Sequence, residues 1–123
     1  MREERLYGTT AVGGALTVKG SAVSGKLYAI AWIDGDFADN VTAVISTINN
    51  EAATTLLTLA AGEGDDDVIY YPRALVSDAG ATALTGTAGG DRARPLVVGQ
   101  LQLVVAAGGD LKEGGCILFI DED

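Results

Sequence analysis

The chain has 123 residues, of which 48% are apolar, so it predicts one folded domain with a single core and excludes a disordered chain. Its 17 acidic and 8 basic residues leave a formal net charge of −9. A surface of that sign repels phosphate, which argues against binding to nucleic acid and to anionic membranes.

The single cysteine and the N-terminus bear on where the protein is made. Cys116 has no second cysteine to pair with in this chain, as expected for synthesis in a reducing cytoplasm. Residues 1–5 are charged and no apolar segment follows them, so no signal peptide is predicted. The longest apolar runs, residues 27–33 and 101–107, have the length of strands and fall short of the ~18 residues that a membrane helix needs.

Short apolar runs separated by glycine-rich and acidic turns predict strands along the chain. Residues 16–19 alternate apolar and polar side chains, as a half-buried strand does. Residues 26–33 are apolar on both faces, which is typical of a strand at the centre of a sandwich or at a subunit contact. Strict alternation gives this strand two faces, Tyr28, Ile30 and Trp32 on one, and Leu27, Ala29, Ala31 and Ile33 on the other.

The rest of the chain continues this pattern of strands and turns. The apolar runs that indicate strands lie at residues 41–48, 56–61, 68–71, 96–107 and 116–120. Residues 50–61 are the one segment whose composition also tolerates a helix. Residues 74–95 are rich in alanine, threonine, glycine and aspartate, and we interpret them as a long loop of the kind that is functional or ordered by a partner.

About seven or eight short strands, with turn signals roughly every 8–12 residues, predict an all-β fold. We expect a single-domain antiparallel β-sandwich with jelly-roll-like connectivity. Residues 1–13 are predicted to form an N-terminal arm, and residues 14–123 the sandwich domain with its long loop at about 74–95.

The residues that most enzyme active sites need are missing. The chain has no histidine, which excludes Ser-His-Asp and Cys-His sites and removes the commonest zinc ligand. Cys116 opens an apolar run with no adjacent cation, so we expect a buried hydrophobic side chain and not a nucleophile. We predict no enzymatic activity, no catalytic residue and no cofactor.

The acidic loop at residues 34–40 superficially suggests a calcium site. Asp34, Asp36 and Asp39 are its carboxylates, but the third alternate position is Ala38 and no glutamate completes the calcium-loop pattern. We therefore expect aspartates that cap turns and no bound metal, with cation binding by these three residues left open. The acidic run at 65–67 is interpreted as a solvated turn that discourages edge pairing.

A few basic and aromatic side chains are candidates for contacts with another protein. Arginine suits bidentate carboxylate contacts, and aromatic residues are common anchors at interfaces. The candidates are Arg2 and Arg5 in the predicted arm, Tyr28 and Trp32 in the two-sided strand, Arg73 after the tyrosine pair, and Arg92 and Arg94 in the long loop. Each of them has an alternative role, local pairing or solubility for the arginines and ordinary core packing for the aromatic residues.

Several of these segments, in this order and spacing, resemble a family of small proteins encoded among the head genes of tailed bacteriophages. The resemblance covers most of the chain from about residue 16 onward. It rests on residues 23–30, 36–41, 70–74, 78–81, 95–98 and 104–114. It implies a virion structural protein, a capsid decoration (cement) or minor capsid protein, with the major capsid protein as its partner and a homotrimer as its assembly. The expected location is the outer capsid surface.

Two other functions fit the sequence. The first is a tail, neck or receptor-binding component of the virion. The second is a carbohydrate-binding β-sandwich, in which Trp32, Tyr70 and Tyr71 would stack on sugars. An enzyme would need a metal held by carboxylates, which the absence of catalytic motifs makes the weakest alternative.

Overall fold

The computed structural model describes residues 1–48, 55–72, 74–75, 92–93 and 96–122. These residues form nine strands and no helix, which confirms the prediction of an all-β fold. The strands are β1 (Arg2–Thr9), β2 (Leu16–Ile33), β3 (Thr42–Ile48), β4 (Thr55–Leu59), β5 (Val68–Tyr70), β6 (Ala74–Leu75), β7 (Arg92–Ala93), β8 (Leu96–Ala106) and β9 (Glu113–Asp121).

Seven of these strands form a single antiparallel sheet. Its order is β1-β9-β2-β8-β3-β4, and β5 pairs separately with β2. β2 runs through both halves of the sheet, because its residues 16–26 pair with β8 while residues 26–33 pair with β9. The sheet turns along β2, so that the β1-β9 half and the β8-β3-β4 half enclose one core in a sandwich-like arrangement. The finer prediction of jelly-roll connectivity stays a prediction.

The two halves approach each other most closely at Gly20 of β2. Leu6 of β1 is fully buried, and a Cβ atom at Gly20 would lie 2.6 Å from Leu6 Cδ2 and 3.6 Å from Leu101 Cβ. β2 has an extra residue here relative to β8, between Lys19 and Ala22. Because Gly20 has no side chain and the bulge bends β2 at this point, Leu6 of β1 can pack against the inner face of the β8-β3-β4 half.

A second bulge in β2 corrects the predicted faces of this strand. Leu27 pairs with Ile120 and Ala29 with Phe119, so Tyr28 is the extra residue. The bulge resets the alternation, and Leu27 and Ile30, three positions apart, are both fully buried. The prediction that Tyr28 shares a face with Ile30 is therefore wrong, since Tyr28 projects from the outer face and is half-buried.

The core lies between the two halves and is built from side chains of β1, β2, β3, β4, β8 and β9. Its largest member is Trp32, whose ring packs against Phe37 with a centroid distance of 5.7 Å. Cys116 is fully buried, as predicted, and burial raises the pKa of its thiol to about 12. A thiol with so high a pKa is protonated near neutral pH and is a poor nucleophile.

The segment predicted as an N-terminal arm is instead part of the sheet. Residues Arg2–Thr9 form β1 and pair with β9 along the whole strand, from Arg2 opposite Ile120 to Thr9 opposite Glu113. The four charged residues that suggested a solvated arm are compatible with β1 because it is an edge strand, with Leu6 as its buried anchor.

Two other predicted segments are described in part. Within residues 50–61, where a helix was conceivable, Thr55–Leu59 form β4, and residues 50–54 lie outside the described residues. Within the predicted loop at 74–95, β6 and β7 pair as a short antiparallel ladder. Residues 76–91 and 94–95 lie outside the described residues.

Candidate interaction surface

The outer face of the β1-β9-β2-β5 half carries apolar and aromatic side chains. The strand register places Arg5, Ile117, Ala31 and Ile69 side by side in one row across the four strands. Paired residues share a face, so all four project away from the core. Neighbouring rows add more apolar side chains, and we call the whole surface the aromatic face. Its members are Arg5, Tyr7, Tyr28, Ala31, Ile33, Ile69, Tyr71, Ile117 and Phe119.

Specific ring contacts order the side chains of the aromatic face. The Arg5 guanidinium lies over the Tyr7 ring, 4.5 Å from its centroid. Tyr28 and Tyr71 meet edge to face, with their centroids 6.0 Å apart and their planes at 88°. Ordered aromatic and arginine side chains lose little rotamer entropy on binding, which favours their use as interface anchors.

The aromatic face exposes large apolar side chains. Ile69 and Tyr71 are each 55% exposed, and Ile33, Ile117 and Phe119 are half-buried. A contiguous apolar patch of this kind on a charged protein is typical of a surface that another protein covers. Charged groups lie at the border of this face, where Glu3 pairs with Phe119 beside Arg5 and Lys26 pairs with Asp121. Its centre, from Ile117 across to Ile69, carries no charge, and this uncharged centre suits adhesion.

Arg5 and Tyr28, two of the predicted contact residues, lie on this face, and Arg2 does not. Arg2 lies on the opposite side of β1, where its guanidinium pairs with Glu4 at 2.5 Å and with Glu122 at 2.8 Å. The hydrogen bonds to these carboxylates, the one to Glu122 foremost, raise the pKa of Arg2. Arg2 therefore connects β1 to the end of β9 and has its carboxylate partners within the chain.

Trp32 is part of the core and is corrected as a contact candidate. Its side chain is 1% exposed, and its indole Nε1–H donates a hydrogen bond to the Gly64 carbonyl oxygen at 2.9 Å. The Tyr70 hydroxyl likewise donates to the Glu63 carbonyl oxygen at 3.1 Å. The sugar-stacking platform of Trp32, Tyr70 and Tyr71 therefore does not form, because the indole has no exposed face.

The remaining candidates lie in or beside the partly described segment. Arg73 and Arg94 lie outside the described residues. Arg92 begins β7, where it pairs with Leu75. Their role in partner contacts stays a prediction.

The acidic loops cap turns at one end of the sandwich, as the sequence predicted. A carboxylate oxygen of Asp36 accepts the Glu113 backbone N–H. Asp65 accepts the Asn40 N–H at 2.8 Å. Such carboxylate caps satisfy backbone donors in loops that cross between strands. Among the described residues, no group of three or more potential ligands is arranged to hold a metal ion.

Asp34 differs from the other aspartates of these loops. Its backbone N–H donates to Asp67 at 2.8 Å, but its own Oδ1 is buried and has no hydrogen-bond partner in the described part of the chain. Burial first, and then the charges of Asp65, Asp67 and further aspartates nearby, raise the pKa of Asp34 to about 6. The charged form of the Asp34 carboxylate is thus destabilised, at the junction of two loops.

Comparisons with protein families, with curated proteins and with solved structures gave no match. No helix in the described ranges is long and apolar enough to cross a membrane. The functional interpretation therefore rests on the sequence and on the surface of the fold.

Sequence reasoning missed most of the aromatic face. Tyr7 was overlooked because β1 was interpreted as an arm, and Phe119 because the strand at 116–120 was predicted without assigning its two faces. A usable signal was present: residues 116–120 are apolar at every position, as residues 27–33 are, and a strand apolar on both sides needs cover on both sides.

Proposed function

We propose that the protein is a virion structural protein of a tailed bacteriophage that binds the outer capsid surface and stabilises the assembled shell. The sequence resemblance supplies the class of protein. The observation that carries the proposal is the aromatic face, an ordered apolar surface with Arg5 and Tyr7 at one side and Tyr28 and Tyr71 at the other. In this role the chain is an adhesive module made in the host cytoplasm, and it performs no catalysis.

The proposed mechanism is preferential binding to the assembled state. A stiff sheet can span a boundary between neighbouring capsid subunits, so its footprint is complete only on the closed shell. A protein that binds the assembled state and not the free subunits stabilises assembly by mass action. The major capsid protein is the proposed partner.

Self-association would strengthen this binding. We assign the aromatic face to contacts between copies in a homotrimer, because its described side chains are apolar and aromatic and the inner side of β2 is already packed against the core. Three linked footprints on one shell give avidity beyond the affinity of each copy.

Co-sedimentation with undecorated heads tests this function. We expect the purified protein to pellet with expanded heads and to raise their resistance to heat. Ile69→Lys, which puts a charge in the middle of the aromatic face, should reduce the bound fraction by about tenfold or more, because a buried unpaired charge is costly. The matched control is Val104→Lys on the opposite half, where Val104 is 39% exposed and the substitution should have little effect.

Failure of the wild-type protein to pellet with heads would refute the proposed function. Equal binding by Ile69→Lys and wild type would leave capsid binding in place and show that it does not need the trimer contact assigned to the aromatic face. A stable ring formed without heads, or binding to host cells, would instead favour the tail or receptor-binding alternative.

A further inference from the structure

The two end strands of the sheet differ in the way their free edges are protected. β1 and β4 stand at the two ends of the strand order, and the three-residue β5 also pairs with a single neighbour; within the described residues nothing pairs with the outer edges of β1 and β4. β1 carries four charged residues on that edge, Arg2, Glu3, Glu4 and Arg5. β4, Thr55–Leu59, carries none and has no proline.

Charged side chains, proline, β-bulges and short length are the usual means by which proteins keep edge strands from pairing with other chains, and of these β4 has its short length and one bulge. β4 has a register shift at Leu56, but Leu57, Thr58 and Leu59 pair regularly with β3. The buried Leu56 and Leu59 fix this strand to the core. β4 therefore presents a rigid, uncharged row of backbone donors and acceptors at the edge of the sheet.

The described strands of the face that adjoins this edge carry no acidic side chain. One row across the β2-β8-β3-β4 half consists of Thr17, Val104, Val44 and Thr58. We call the outer side of this half the carboxylate-free face. Its described outward residues on β2 up to residue 24, and on β8, β3 and β4, include no aspartate or glutamate, in a chain whose net charge is −9. Two copies of the protein meet the least electrostatic repulsion when they approach at this side.

We propose that β4 pairs antiparallel with β4 of a second copy about a two-fold axis, so that the sheet continues across the contact. The pairing brings only threonine and leucine side chains together and satisfies the free backbone groups of both edges. The same operation at β1 would set like charges opposite one another, for example Glu4 against Glu4. This contact is separate from the proposed function, because it needs neither the shell nor the aromatic face.

Sedimentation velocity of the full chain, at concentrations from about 5 to about 500 μM, tests this pairing. The experiment compares wild type with variants that place a negative or a positive charge on β4. Wild type should show a reversible association that grows with concentration. Thr58→Glu and Thr58→Lys should each weaken it by about tenfold or more, because the two-fold axis sets each new charge near its own copy. Thr17→Glu and Thr17→Lys, in the same row three strands away, are the matched controls and should leave it unchanged.

Three results would overturn the pairing. The first is a wild-type protein whose mass does not depend on concentration. The second is an equal loss in the Thr17 variants, which would assign the contact to the sheet face. The third is a stronger association in Thr58→Lys, which would show that net charge alone controls it. Amide hydrogen exchange should also slow in β4 as the wild-type concentration rises, and an unchanged β4 would count against the proposal.

Discussion

Individual residues show how the same side-chain type can serve opposite roles in this protein. Trp32 and Tyr28 belong to one strand, yet Trp32 is buried and its indole N–H donates a hydrogen bond to the Gly64 carbonyl oxygen. Tyr28 lies on the outer face and its ring contacts the Tyr71 ring edge to face. The difference arises from the bulge at Tyr28, which changes the direction of every side chain before it relative to those after it. A bulge of one residue thus decides which aromatic side chain of β2 lies on the outer face.

Asp34 should make the stability of the fold depend on pH. Its pKa is raised from 3.8 to about 6, so between these values the native state binds more protons than the unfolded chain. The contribution of Asp34 to the free energy of unfolding is therefore fully present below about pH 4 and is lost as the pH rises through about 6. Because the carboxyl group is partly solvated, we expect Asp34→Asn to stabilise the protein by about 1 kcal/mol at pH 7.5 and by nothing near pH 3.5.

Urea unfolding of wild type and Asp34→Asn across this pH range measures the effect. Asp36→Asn is the control, because an amide oxygen accepts the Glu113 N–H more weakly than the Asp36 carboxylate does, so this change should destabilise the protein slightly. If Asp34→Asn stabilised the protein equally at pH 7.5 and pH 3.5, the raised pKa of Asp34 would not be the cause.

At the scale of strands, alternation and turn composition predicted most of the elements. The strands at 42–48, 55–59, 68–70, 96–106 and 113–121 all fall within or around predicted apolar runs. β2 joins the predicted strands at 16–19 and 26–33 into one, so a turn expected from the small residues at 20–25 is wrong. β1 was missed because its charges resemble those of a solvated arm, and its pairing with β9 joins residues more than 100 positions apart. The two bulges of β2 were also missed, since they arise where one strand must serve two halves of a sheet, which local sequence does not encode.

Gly115 tests how β1 is held in the sheet. It lies in β9 between Tyr7 of β1 and Ile33 of β2, and a Cβ atom there would come within 2.1 Å of the Leu6 carbonyl oxygen. Backbone cannot yield as a side chain can, so Gly115→Ala should cost about 3 kcal/mol and expose the β1 amides to hydrogen exchange.

Gly8→Ala is the matched change on β1 itself. Its added Cβ would lie 3.1 Å from Leu16 Cδ1, a side-chain atom that can move, so we expect a loss of less than about 1 kcal/mol. Equal stability of the two variants in urea unfolding would show that β1 does not depend on close contact at Gly115.

At the scale of the molecule, charge and apolar surface are separated. Carboxylates gather in the loops at one end, where Asp36, Asp65 and Asp67 cap backbone groups. One outer face is aromatic and the other carries no described carboxylate. A protein organised in this way can be highly acidic, and so remain dispersed, and still offer two surfaces on which other proteins can pack.

The candidate surface was less predictable than the fold. Arg5 and Tyr28 were identified from residue type, but the face also needs Ile69 from β5 and Phe119 from β9, and only the sheet register brings these four strands together. Trp32 was misplaced for the same reason, since residue type alone does not distinguish an interface aromatic from a core aromatic.

A cryo-EM reconstruction of undecorated phage heads incubated with the purified protein tests capsid adhesion most directly. We expect added density on the outer surface at threefold positions, into which three copies fit with their aromatic faces buried against one another. Heads without added density, or bound copies whose Ile69 and Tyr71 face solvent, would contradict the proposed role of this surface.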